Sequence, residues 1–255
     1  MKEFQKDALC VKIMPNRDEM GMMAAADIHN TILELLETKS HINMIFAAAP
    51  SQNDVLAHLT AYDDIEWSRI HAYHMDEYIG LPEELADRSF GTYLREHVFG
   101  KVPFGSVNLI DATAVDYPGE CQRYAKLLRE NPTDIVVMGI GENGHIAFND
   151  PWVADFNDPQ PVKVVPLDEV CRMQQVNDGC FAALEFVPKH AITLTCPTLF
   201  AGSHLFCIVP AKTKAAAVKR TLEGEINHDC PATILRRHNS AKLYLDADSS
   251  GELAL

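Results

Sequence analysis

The run Ile135-Val136-Val137-Met138 breaks directly into Gly139-Ile140-Gly141-Glu142-Asn143-Gly144-His145, and Asp150-Pro151 follows within a few residues. Four apolar, mostly β-branched residues bounded by turn formers have the pattern of a buried parallel strand. Open α/β sheets bind ligands outside the carboxyl ends of their strands. A loop carrying three glycines, an imidazole and a carboxylate at such an end is therefore a candidate site. Residues 139–144 also satisfy G-x-G-x-x-G, the dinucleotide fingerprint, which requires a helix to begin inside the motif. Ile146, Phe148 and Asn149 are weak helix formers and Pro151 would stop the helix early. The pattern argues against a nicotinamide dehydrogenase.

The rest of the chain alternates strand and helix patterns. Helical spacing runs from Asp18 to Leu36, with Asn16 or Asp18 as the cap, and strand runs follow at 42–49 and 70–75. Helices are expected through Val55, Leu56 and Leu59, at 89–99, 118–130, 169–180 and 213–223. Further strands are expected at 107–110, 134–138, 191–195, 204–209 and 242–246, with loop at 157–161. This alternation calls for a single α/β domain over residues 1–255, with a short N-terminal extension of roughly 15 residues and a mostly parallel sheet covered on both faces.

Charge and cysteine usage narrow the partners. A net charge of −14 argues against nucleic acid, which demands clustered Lys and Arg. No apolar run approaches the roughly 20 residues of a membrane span, and no signal-peptide core follows Met1. Seven cysteines with no CxxC pair read as reduced thiols of a cytoplasmic protein, with no metal centre expected.

Four places then carry candidate chemistry. His145 suits proton transfer near neutrality, and Asp150 can orient its ring. Asp76-Glu77 closes the second strand; His71 and His74 before it alternate to opposite faces and make a poor metal pair. Ala49-Pro50-Ser51-Gln52 forms a strand–loop–helix junction able to offer N–H groups to a phosphate, with an ordinary capped turn as the equal alternative. Lys212 and Lys214 begin a helix, where a cation opposes the dipole unless an anion is near; solvated lysines are the alternative.

Three ordered segments carry a resemblance: Met75-Asp76-Glu77-Tyr78-Ile79-Gly80-Leu81-Pro82, residues 139–151, and Lys214-Ala215 at a strand-to-helix turn. Together with 187–193 and 223–228, they resemble the glucosamine-6-phosphate deaminase (isomerase) family, related to the 6-phosphogluconolactonases. The likeness runs from about residue 20 to residue 246. It implies a Rossmann-like three-layer sandwich and conversion of an amino-sugar 6-phosphate to a ketose 6-phosphate plus ammonia, with no organic cofactor. It leaves a homo-oligomer open. Carried onto this chain, Asp76 is the base moving a proton between C2 and C1. His145, with Asn143 and Asp150, is the ring-opening relay. The sugar-phosphate contacts fall to Ala49, Pro50, Ser51, Gln52, Glu77, Gly141, Gly144, Arg172 and Lys214.

The chain departs from the family pattern in three respects. Asn143 stands where the family has Asp, and Asp150 where it has Glu. Ala48-Ala49-Pro50-Ser51-Gln52 replaces a Thr-Gly-Gly-Thr-Pro loop, and the phosphate arginine has only Arg172 as a nearby candidate, with Gly179 and Gln175 competing for the position. A sugar-lactone hydrolase and a non-catalytic sugar-phosphate binder remain the alternatives.

Overall fold

The computed structural model describes residues 1–254; Leu255, the end of the expected domain, lies outside the described residues. Its strands are β1 (Lys2–Lys6), β2 (Leu9–Ile13), β3 (Ile42–Phe46), β4 (Ile70–His74), β5 (Asp76–Ile79), β6 (Ser106–Asn108), β7 (Ile135–Met138), β8 (Val162–Pro166), β9 (His190–Leu194), β10 (His204–Val209) and β11 (Ala241–Leu245). Its α-helices are α1 (Arg17–Thr38), α2 (Asn53–Leu59), α3 (Phe90–Leu94), α4 (Tyr117–Glu130), α5 (Glu169–Asn177), α6 (Cys196–Phe200) and α7 (Ala215–Glu223). A π-turn over Arg95–Phe99 extends α3, and short 3-10 turns precede α2 and α7.

The main sheet runs β1-β2-β11-β10-β7-β3-β4-β6, parallel throughout except for β1 at the edge. Period-2 alternation sends successive side chains of its central strands into two separate cores. Ile135 and Val137 of β7 join Ile42, Met44 and Phe46 of β3 under α1 and α2, with Met20, Ile28 and Val55. Val136 and Met138 join Ile45 in the opposite core with Tyr124 and Leu128 of α4 and Val218 and Leu222 of α7. The result is the three-layer α/β sandwich. Asn16 caps α1, its side chain accepting from Glu19 N at 2.9 Å.

Two features were not announced by hydropathy. Residues 2–13, expected as an extension outside the elements, form a hairpin whose second strand pairs with β11 and lengthens the sheet. A second, antiparallel sheet of order β5-β9-β8 stands apart from the first. After β4 the chain bends at Met75, and Asp76 opens β5, so Asp76 and Glu77 begin a new strand and do not close β4.

The topology fixes where a ligand can go. From β3 the chain advances outward through β4 to β6, then returns to the other side of β3 as β7, and continues through β10 to β11. The order reverses between β3 and β7, which is the crevice where open α/β sheets take ligands. Ala47 N donates to Val137 O at 2.9 Å, so the loops leaving these two strands start side by side.

Candidate active site

Four adjacent strands, β10, β7, β3 and β4, each deliver one part of a pocket at that crevice. Its lining includes Ala49, Ser51 and Gln52 after β3, Asp76 after β4, Gly141 and His145 after β7, and Lys214 after β10. Phe90 and Phe148 wall this cleft, their rings stacked at 5.6 Å between centroids.

The loop after β7 is not a helix. Gly144 takes φ +91° and Ala147 φ +48°, and an isolated bridge joins Ile146 to Asn149. Gly144 also packs on Cys230, leaving no room for a Cβ, and its carbonyl accepts from Ala232 N at 2.9 Å. These turns swing His145 back over Gly141. Asn149 anchors the loop to the second sheet by donating to Leu194 O at 2.8 Å.

Behind the imidazole lies a polar relay. Asn143 Oδ1 accepts from the backbone N of His145 at 3.0 Å and faces its Nδ1 at 2.8 Å, so Nδ1 carries the proton and donates. Asn143 Nδ2 donates to Asp150 Oδ1 at 2.8 Å and to Asp168 Oδ2 at 3.4 Å. Asp150 also stands 3.2 Å from His145 Nδ1. Burial pushes the Asp150 carboxyl up. Contacts with His145, Asn143 and the backbone of Asp168 outweigh it and hold the group below the usual carboxylate range. Asp168 caps α5, accepting from Cys171 N at 2.7 Å. Its contact with Asn143, 25 positions away, had no signal in the sequence beyond that of a helix cap.

His145, Asp150 and Cys171 bring ligand atoms within 4.8 Å of one another. His145 Nδ1 and both oxygens of Asp150 already have partners, however, and burial pushes the Cys171 thiol well up. The donors are committed to one another, so the cluster is a packed relay and not a metal centre. His74 is likewise structural: its Nε2 accepts from Ile110 N at 2.9 Å, and burial depresses its pKa to about 3.

Asp76 differs from every other buried carboxylate nearby. It is only 6% exposed, and its side chain has no hydrogen-bond partner among the described residues. Burial, and secondarily the charge of Glu77, raise its carboxyl well above the usual range. Lys214 is buried too, its ammonium also without a hydrogen-bond partner among the described residues. Burial lowers its pKa, against the opposing pull of Asp178 and Glu142. It is the one ammonium among the lining residues.

Four expected contacts are not on the pocket wall. Arg172 donates to the carbonyls of Leu184, Val187 and Pro188, tying down the chain after α5. Its guanidinium is spent on backbone, and that place in the wall belongs to Gln174 and Gln175. Glu77 points away from Asp76, as strand alternation requires, and accepts from the N–H groups of Tyr78, Phe90 and Gly91. Pro50 turns outward, its carbonyl accepting from Arg17. Gly144 shapes the loop from behind.

The family model for glucosamine-6-phosphate isomerases/6-phosphogluconolactonase matches residues 15–245. The chain belongs to that family. A glucosamine-6-phosphate deaminase of Bacillus cereus is 34% identical over 221 residues, covering 87% of this chain and 82% of its own. Among solved structures of the family, a monomeric glucosamine-6-phosphate deaminase superposes with a TM-score of 0.84 at 28% identity, over 94% of this chain and 98% of its own. A 6-phosphogluconolactonase from Thermotoga maritima shares the fold with a TM-score of 0.73 at 19% identity, over 93% of this chain and 99% of its own. No helix among the described residues is long and apolar enough to cross a membrane.

Proposed function

We propose that this family member is an amino-sugar 6-phosphate deaminase. It would convert an aldose such as glucosamine 6-phosphate, with one water, to a ketose 6-phosphate and ammonia. The observation that carries the reading is the unpaired, buried carboxylate of Asp76, in one pocket with His145 and Lys214. Moving a carbon-bound proton needs a base of raised pKa. Lactone hydrolysis needs no carbon base, so Asp76 favours the deaminase over the lactonase reading.

In this reading Lys214 and the Ser51-Gln52 turn receive the phosphate and thereby place the sugar carbons. His145, donating through Nδ1 to Asn143, keeps Nε2 free to take the anomeric hydroxyl proton and return it to the ring oxygen, which opens the ring. Asp76 then removes the C2 proton, giving an enolamine, and returns a proton to C1. The resulting C2 imine adds water and expels ammonia. No step calls on an organic cofactor. The seven free cysteines suit a reducing compartment, and we place the enzyme in the cytoplasm.

The test is an assay of the purified protein with glucosamine 6-phosphate, galactosamine 6-phosphate and 6-phosphogluconolactone, reading ammonia and ketose. Release of both from an amino sugar is the expected result. Lactone hydrolysis without ammonia would transfer the assignment to the lactonase side, and binding without turnover would make the chain a sugar-phosphate sensor.

A further inference from the structure

The base and the anion loop sit on different strands, yet one short helix touches both. At its start, the Glu77 carboxylate accepts from Tyr78 N at 2.9 Å and Phe90 N at 3.0 Å through one oxygen, and from Gly91 N at 2.8 Å through the other. Glu77 is 4% exposed and adjoins Asp76 on β5, so these bonds fix the position of the base. One turn later, Tyr93 donates its hydroxyl to the carbonyl of Ala49 at 2.7 Å and meets the side chain of Asn53. Its ring stacks on His97 at 3.9 Å, which holds the hydroxyl in place. Arg17 grips the same loop from outside, through Pro50 O and Asp54.

We propose that α3 is a strut that joins the anionic end of the substrate to its reacting carbon, with Glu77 and Tyr93 as the positioning residues at its two ends. This rests on the deaminase reading of the pocket. An anion settling on Ser51 and Lys214 draws on a loop whose carbonyl is bonded to Tyr93. The strut carries that constraint through Phe90 and Gly91 to Glu77, and so to the backbone of Asp76. Binding energy from a non-reacting group is thereby used to aim the base. Glutamine could not replace Glu77 without loss, because its amide nitrogen would face a backbone N–H, donor against donor.

The experiment follows backbone amide resonances while inorganic phosphate is titrated into the full-length protein. In the wild type, the amides of Ser51 and Lys214 should shift together with those of Tyr78 and Gly91. In Tyr93→Phe, Ser51 and Lys214 should still respond while Tyr78 and Gly91 stay fixed. With glucosamine 6-phosphate, Tyr93→Phe should lose about fivefold in kcat/KM, the worth of one hydrogen bond. Glu77→Gln should lose about 100-fold in kcat with phosphate affinity unchanged. A wild type in which the loop amides respond but Tyr78 and Gly91 do not would overturn the strut and leave the deaminase standing. Coupled shifts without ammonia release would do the reverse. No response at any amide would overturn both the anion site and the strut. Tyr93→Phe removes one oxygen from a half-buried ring, so the test does not depend on Glu77→Gln folding.

Discussion

The imidazole of His145 occupies the space that a side chain on Gly141 would fill: a Cβ built there clashes with the ring, against Cε1, Nε2 and Nδ1. Gly141 does not sit at positive φ, so alanine is compatible with its backbone. The absence of a side chain serves the histidine and not the turn. Gly141→Ala should therefore keep the fold and the anion site while pushing His145 out of line, at a cost of about 100-fold in kcat. Turnover near the wild-type level, with an unaltered melting temperature, would show that the ring position is not what the reaction needs.

That relationship marks the boundary of what the sequence discloses. The parallel core was legible because β7 is an unbroken apolar run and β3 is apolar but for Asn43, and the loop after β7 was legible because proline and poor helix formers argue against a dinucleotide helix. Local pattern carries no such information for β8 and β5. Val162–Pro166 mixes a lysine and a proline into a strand, and Asp76–Ile79 opens with two acids; each becomes a strand only by pairing with β9, which for β5 lies more than a hundred positions away. The same limit explains Glu77 and Arg172. The resemblance marked both as contacts, but only the fold shows that backbone groups already satisfy them. His145, Asp76 and Lys214 stood out because each follows a strand end or begins a helix, where open α/β sheets take their ligands.

The raised carboxyl of Asp76 has a consequence for stability. When a folded-state carboxyl titrates above its unfolded value, the unfolded chain ionises first as pH rises. The fold then loses stability progressively from the ordinary Asp range, about 3.9, up to the raised folded value. Burial is the main cause and Glu77 the second. Asp76→Asn removes this burden. It should raise the melting temperature at pH 7 by about 2–4 °C for each kcal/mol regained, while abolishing C2 proton exchange into deuterated water. Surviving exchange would rule Asp76 out as the base, and an unchanged melting temperature would show that its carboxyl does not titrate above its unfolded value.

The same shift sets the acid limb of the pH profile. A protonated Asp76 cannot take the C2 proton, so kcat/KM should fall as pH drops through a value above the ordinary carboxylate range. Asp150, held below that range by His145 and Asn143, stays ionised throughout and does not contribute to the limb. A limb at or below about pH 4 would locate the base in an ordinary, solvated carboxylate instead.

Lys214 is the one ammonium on the wall, and its burial costs stability unless an anion compensates. Lys214→Met keeps the apolar stem and removes the charge. It should raise KM for a sugar 6-phosphate by roughly 10- to 100-fold, the range of a charged hydrogen bond. The melting temperature should hold or rise, and inorganic phosphate should no longer protect the variant against heat. Equal inhibition of wild type and variant by phosphate would move the anion elsewhere in the pocket.

Asn143 is an amide set among acids, and its surroundings account for it. Its nitrogen donates to two acceptor-only groups, Asp150 at 2.8 Å and Asp168 at 3.4 Å, while its oxygen faces Nδ1 of His145 at 2.8 Å. A carboxylate at this position could still accept from the imidazole but would face both acids with no proton to offer. Three carboxyls would then crowd one histidine, and at least one would take up a proton or swing away. Asn143→Asp should therefore lower kcat by roughly tenfold, the loss of one charged hydrogen bond of about 1.5 kcal/mol. Adding Asp168→Asn should recover part of the rate, because it returns a donor to the cluster. A single substitution that instead raises the rate would show that the amide handicaps the relay, and that Asp168 does not matter to it.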